Sequence, residues 1–157
     1  MMRLFLIGLV VFCTVLIGCS QPMPDGLPKL YPVSLKFVQE GAPCAEALVS
    51  LTPESDGQWA VGGITDSGGN VALQTHGRYS GVPAGKYKIT VIKTETELIG
   101  PPPKDMGETQ ASTTYNLIDP VLSVVSTTTL ALEVVDGKNS FPPFDLGKKV
   151  HEPVLSP

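Results

Sequence analysis

Gly85-Lys86-Tyr87-Lys88-Ile89-Thr90-Val91 alternates apolar and polar side chains. Tyr87, Ile89 and Val91 fall on one face of an extended chain, and Lys88 and Thr90 fall on the other. A helix, with its longer period, would scatter the same three apolar groups around its circumference. Gly85 permits a sharp bend into the run. The spacing predicts a strand with one face in a core.

The same period recurs on both sides of this run. Val33, Leu35 and Phe37 alternate with Ser34 and Lys36. Ala47, Val49 and Leu51 alternate with Leu48, Ser50 and Thr52. Residues 59–65 form a further candidate, and Val71, Leu73 and Thr75 line one face of the next. Within 127–135, Leu130, Leu132 and Val134 share a face, and Phe144 and Leu146 flank Asp145. Between them lie Asp56-Gly57, Ser67-Gly68-Gly69-Asn70, Pro83-Ala84-Gly85 and Asp136-Gly137, residues that tolerate positive φ or preset a turn. With 16 glycines and 15 prolines in 157 residues, helix is disfavoured throughout. About seven short strands with frequent turns predict an all-β fold, a single β-sandwich over residues 33–147.

Two segments break the pattern. Residues 95–121 contain Pro101-Pro102-Pro103 and a polar stretch, a composition that predicts a long disordered loop. Residues 148–157 hold few apolar groups and two prolines, and are expected to form a loose tail.

The N-terminus has its own logic. After Met1, Met2 and Arg3, residues 4–17 carry no charge. Such a run matches the apolar region of a signal peptide. It falls short of the roughly 17–25 residues that a membrane-spanning helix needs. It ends in Leu16-Ile17-Gly18-Cys19, which resembles the bacterial lipobox, although Ile17 stands where Ala or Ser is commoner. The resemblance implies a signal peptide over 1–18, cleavage before Cys19 and a diacylglyceryl group on its thiol. Membrane lipid joined through Cys19 is then the expected partner, each buried CH₂ contributing about 0.8 kcal/mol. The expected location is exported and lipid-anchored to the cell membrane, the outer one in a cell with two, because Ser20 rather than Asp follows the cysteine. Residues 19–32 include Pro22, Pro24, Pro28 and Pro32 and are expected to form a flexible, extended tether. At about 3.1 Å per residue, it would hold a domain up to roughly 40 Å from the bilayer.

From Tyr31 onward the chain resembles bacterial carboxypeptidase-regulatory-like domains of transthyretin-like (prealbumin-like) fold. The residues that carry the likeness are Pro32-Val33-Ser34-Leu35-Lys36-Phe37, Ala47-Leu48-Val49-Ser50-Leu51-Thr52-Pro53, Gly63-Ile64-Thr65-Asp66-Ser67-Gly68-Gly69-Asn70-Val71 and Gly81-Val82-Pro83-Ala84-Gly85-Lys86-Tyr87. Asp136-Gly137-Lys138-Asn139 and Phe144-Asp145-Leu146 resemble the closing segments of small lipoproteins of this kind. The resemblance implies a Greek-key sandwich of about seven strands. Such domains serve structure or binding, generally without activity of their own.

The chemistry-bearing residues are sparse. Loss of Arg3 with the leader makes the formal net charge one unit more negative than −4, which leaves no electrostatic footprint for nucleic acid. Of three cysteines, Cys13 leaves with the leader and Cys19 is modified, so Cys44 has no disulfide partner and is expected as a small buried apolar residue. His76 and His151 are the only histidines, and no His-x-x-x-His or Cys-x-x-Cys spacing occurs, so neither a metal nor another cofactor is expected. No Gly-x-Ser-x-Gly elbow is present, so no catalytic residue is expected. Asp66, Ser67 and Asn70 offer oxygens, but an Asx-type turn is the simpler reading. Trp59 and Tyr79 are candidate stacking groups for a ligand, although a tryptophan on a strand is more often core. These features predict a membrane-anchored envelope lipoprotein with a non-catalytic structural role or another envelope protein as partner. A glycan-binding surface module is the alternative.

Overall fold

The computed structural model describes residues 24–55, 57–102, 105 and 109–154. Residues 1–23 lie outside them, and with them the expected leader, Cys19 and the first part of the expected tether. The chain is all-β. In order, the strands are β1 (Leu30–Tyr31), β2 (Val33–Gln39), β3 (Ala42–Pro43), β4 (Leu48–Pro53), β5 (Val61–Ile64), β6 (Asn70–Ala72), β7 (Gln74–Thr75) and β8 (Tyr79–Ser80). Then follow β9 (Val82–Pro83), β10 (Gly85–Ile92), β11 (Thr94–Ile99), β12 (Ala111–Asn116), β13 (Ala131–Val134), β14 (Asn139–Ser140), β15 (Phe144–Asp145) and β16 (Glu152–Pro153).

Each alternating run of the sequence contains strand, but the strands outnumber the seven expected. The additional ones are mostly two-residue pairings at sheet margins, too short to show any period. The larger sheet has the order β13-β10-β4-β5-β7-β8. Within it β10 returns beside β4 after β5 and β7, the Greek-key arrangement. In the second sheet β2 is the centre. The Phe37 amide donates to Gly69 O at 2.8 Å and the Phe37 carbonyl accepts from Cys44 N at 3.0 Å, so β6 and β3 share one edge. The neighbouring Val38 carbonyl points the other way and accepts from Leu146 N at 2.8 Å, which puts β15 on the opposite edge, parallel to β2.

Between the sheets lies the core. Leu35 and Phe37 from β2 meet Val49 and Leu51 from β4, Tyr87, Ile89 and Val91 from β10, and Leu132 and Val134 from β13. Residues 70–75 belong to both sheets. Val71 and its neighbours pair with β2, and Gln74 and Thr75 pair with β5 and β8. Val71, Leu73 and Thr75 all face inward, as their spacing predicts. Buried hydroxyls are satisfied by backbone: Thr65 Oγ1 accepts from Ala47 N at 2.8 Å, and Thr75 Oγ1 donates to Gly81 O at 2.8 Å. Gly69 adopts φ of 76° beside β2, where a Cβ would lie 2.3 Å from the Phe37 carbonyl oxygen. No larger residue fits there.

Three expectations fail on physical grounds. Residues 95–121 are not one long disordered loop, because β11 and β12 pair in register from Thr94↔Asn116 to Ile99↔Ala111. Thr94, Thr96, Thr113 and Thr114 favour extended backbone, and the Thr96 and Thr114 hydroxyls lie 3.0 Å apart. Every residue of β11 is exposed, so no buried face imposes an apolar period. Nor is the tail from 148 onward loose throughout. β16 pairs with β12, and Val154 N donates to Thr114 O at 2.8 Å. Finally, the flexible tether expected over 19–32 does not reach residue 32. Leu27 N donates to Pro24 O at 3.2 Å, β1 pairs with β9, and Tyr31 packs against the core.

Ile89 is fully buried on the central strand, whereas Leu98 is 68% exposed on the hairpin. Ile89→Ala is expected to lower unfolding free energy by about 2–5 kcal/mol. Leu98→Ala should change it by no more than about 0.5 kcal/mol. Urea denaturation of both variants checks the contrast.

Candidate functional site: an aromatic groove at the β7–β8 turn

The hairpin of β7 and β8 turns through His76 and Gly77. Both have positive φ, 55° and 62°, and Arg78 N donates to Thr75 O at 3.2 Å. Two positive φ values in succession match the right-handed twist of the flanking strands, a geometry usually given to Asn-Gly. Here histidine takes the first place. Its amide donates to Ala60 O at 2.7 Å, which fixes the turn against the residue before β5.

This places the imidazole over Trp59, edge to face, with ring centroids 5.0 Å apart. Trp59 precedes β5 and is only half-buried; it is absent from the core, contrary to the usual fate of a strand tryptophan. Trp59, His76, Arg78, Tyr79 and Pro24 line a groove of about 340 Å³. The two aromatic residues singled out from sequence thus share one concavity, although they lie on different elements. His76 and Arg78 join them through the turn. The signal for this was the His76-Gly77 pair between the extended runs, which can take the positive φ values of a tight hairpin turn. Among the described residues no carboxylate lines the groove.

The remaining candidates have structural employment. Asp66 Oδ1 accepts from Gly68 N at 2.8 Å and Asn70 N at 2.9 Å, an Asx turn that closes the link from β5 to β6. The Asn70 amide, foremost, holds the Asp66 carboxyl below its ordinary range. Among the described residues no group of three or more His, Cys, Asp or Glu side chains is placed to hold a metal ion. Cys44 is buried, and desolvation pushes its thiol up against a weaker opposing pull from Lys93. His151 stacks on Tyr115 at 3.9 Å and lies 3.4 Å from Glu97, binding the tail to the hairpin. A wider groove of about 650 Å³ runs between Lys29–Ser34 and the turn Asp136–Asn139. Lys29 spans its mouth, 3.4 Å from Asp136 and 5.0 Å from the Tyr31 ring centre, an exposed pair of little energetic weight. Cys19 lies outside the described residues.

No protein-family model matches the chain, and no curated protein or solved structure matches it.

Two tests follow from this geometry. Because folding lowers the Asp66 pKa, its carboxylate stabilises the fold fully above the unfolded value near 3.8. That contribution disappears as pH falls through the lowered folded value. The melting-temperature advantage over Asp66→Ala should therefore be constant near neutrality and shrink below about pH 4. Cys44 should resist an aromatic disulfide reagent in native protein and react at once in denaturant, as read by thiolate release.

Proposed function

We propose that this chain is an exported lipoprotein, anchored through Cys19, whose β-sandwich has a non-catalytic role in structure or protein interaction at the cell envelope. The observation that carries the proposal is Leu16-Ile17-Gly18-Cys19 at the end of an uncharged apolar run. A thiol directly after a small residue is where a lipoprotein peptidase acts, and two or three acyl chains give lasting attachment. The order of elements supports the reading. The folded body starts by Pro24, only a few residues beyond the cysteine, so a lipid there would hold the whole sandwich at a surface. The transthyretin-like resemblance of residues 31–147 fits a binding or structural module. Its chemistry gives no reason to invoke a cofactor, and the acidic charge balance gives none to invoke nucleic acid.

A glycan-binding module is the second reading. It is favoured by the convergence of Trp59 and Tyr79 in one groove, since aromatic faces stack on the apolar faces of sugar rings.

Cys19→Ser should abolish lipid addition and leave the uncleaved precursor. Mass spectrometry of natively produced chain should show diacylglyceryl cysteine at the mature N-terminus of the wild type and an intact leader in the variant. Equal masses for the two mature proteins, apart from the substituted atom, would defeat the proposal.

A further inference from the structure

We infer that the face carrying Trp59, His76, Arg78 and Tyr79 rests in the headgroup layer of the membrane that holds the chain. The inference depends on lipid attachment at Cys19 and adds an orientation to it.

The length of the leash is the first argument. Five residue steps separate Cys19 from Pro24, and at about 3.6 Å per step they span no more than roughly 18 Å. Pro24 itself lines the groove. The leash therefore leaves the body at this groove, and the opposite end of the sandwich cannot turn toward the bilayer without pulling the groove along.

The side chains suit that place. Tryptophan and tyrosine concentrate where hydrocarbon gives way to water, because each has an apolar ring and a polar tip. Arg78 is the only arginine after Arg3. A guanidinium donates paired hydrogen bonds to phosphate while its stem lies along apolar surface. Among the described residues the groove has a guanidinium and no lining carboxylate, which suits it to an anion in a chain whose net charge is negative.

The groove also continues into an apolar face. His76 borders a second concavity of about 550 Å³ that includes Leu48 and Ile64. Leu48 pairs with Ile64 on one side and Ile92 on the other, so three apolar side chains cross the outside of the larger sheet in a row. They are 46%, 65% and 39% exposed. Contiguous exposed apolar surface of this kind marks a contact face. Tethering supplies a high effective concentration, so weak local contacts suffice without long-range attraction between the acidic body and the bilayer.

Trp59 is the sole tryptophan and reports on the contact directly. The natively lipidated chain would be placed in vesicles of phosphatidylethanolamine and phosphatidylglycerol, with and without lipids brominated near the headgroup. The expected result is a blue-shifted Trp59 emission, strong quenching by the brominated lipid and shielding from aqueous acrylamide. Arg78→Glu should reduce the quenching while lipid mass at Cys19 and the β-sheet circular dichroism stay unchanged; Tyr79→Ser provides the same test should that variant misfold. A lipidated chain whose Trp59 is unquenched by brominated lipid and open to acrylamide overturns the orientation and leaves the anchor standing. Protection of Trp59 by soluble oligosaccharide, without lipid quenching, also overturns it and assigns the groove to a glycan. A bare Cys19 in the mass spectrum overturns anchor and orientation together.

Discussion

Strand β10 must find hydrogen-bond partners along both edges while its inner face is sealed from water. Ile89 and Val91 are fully buried, so the backbone groups around them have no solvent to turn to, and leaving them unpaired would cost more than any single packing contact returns. β4 satisfies one edge from Tyr87 to Ile92, and β13 satisfies part of the other. Beyond β13 the supply is completed by irregular chain: Leu130 O accepts from Ile89 N at 2.9 Å, and the Thr128 hydroxyl donates to Ile89 O at 2.7 Å. The Tyr87 hydroxyl, its acidity lowered by burial, donates to Pro83 O at 2.9 Å and ties the strand to the turn that precedes it. Once β10 is committed, β4 is held beside it, and β5 and β7 follow by hairpin and short link.

That commitment positions the outer surface as well. Burying Val49 turns Leu48 outward, and pairing sets Leu48 between Ile64 and Ile92. The apolar outer row is thus a by-product of the same alternation that fills the core. Likewise the crossing of 70–75 from one sheet to the other sends β7 to the edge of β5, where its turn carries His76 to Trp59. The groove is built from a pre-strand residue, a hairpin turn and the first described residue of the chain, three places that meet only because the larger sheet ends there.

The strands that bury one face were legible as alternation: Leu35 and Phe37, Val49 and Leu51, Ile89 and Val91. Turn chemistry was equally readable at Asp66, whose carboxylate caps the amides of Gly68 and Asn70. The hairpin of β11 and β12 was not legible, because β11 is exposed along its length and β12 is at most half-buried, so neither shows an apolar period, and Pro101 to Pro103 suggest disorder. β16 was missed for a similar reason. Its two residues gain stability from pairing and from the stacking of His151 on Tyr115, a contact across 36 positions of sequence. Within the groove, Trp59 and Tyr79 stood out by residue type, but nothing in their spacing announced that they share it with Arg78.

Residue order alone indicated most of the side chains that lie inside, since apolar preference and the two-residue period of a strand are local properties; Trp59, more often core, is an exception. It also carries the resemblance of Leu16-Ile17-Gly18-Cys19 to a lipobox, which is a matter of adjacent residues. Which edges pair, how residues 24–32 join the fold and which exposed aromatics converge depended on the folded body. Those outcomes arise from hydrogen-bonding groups common to every residue, whose partners are selected by competition among all available edges and by how the two sheets close over one core.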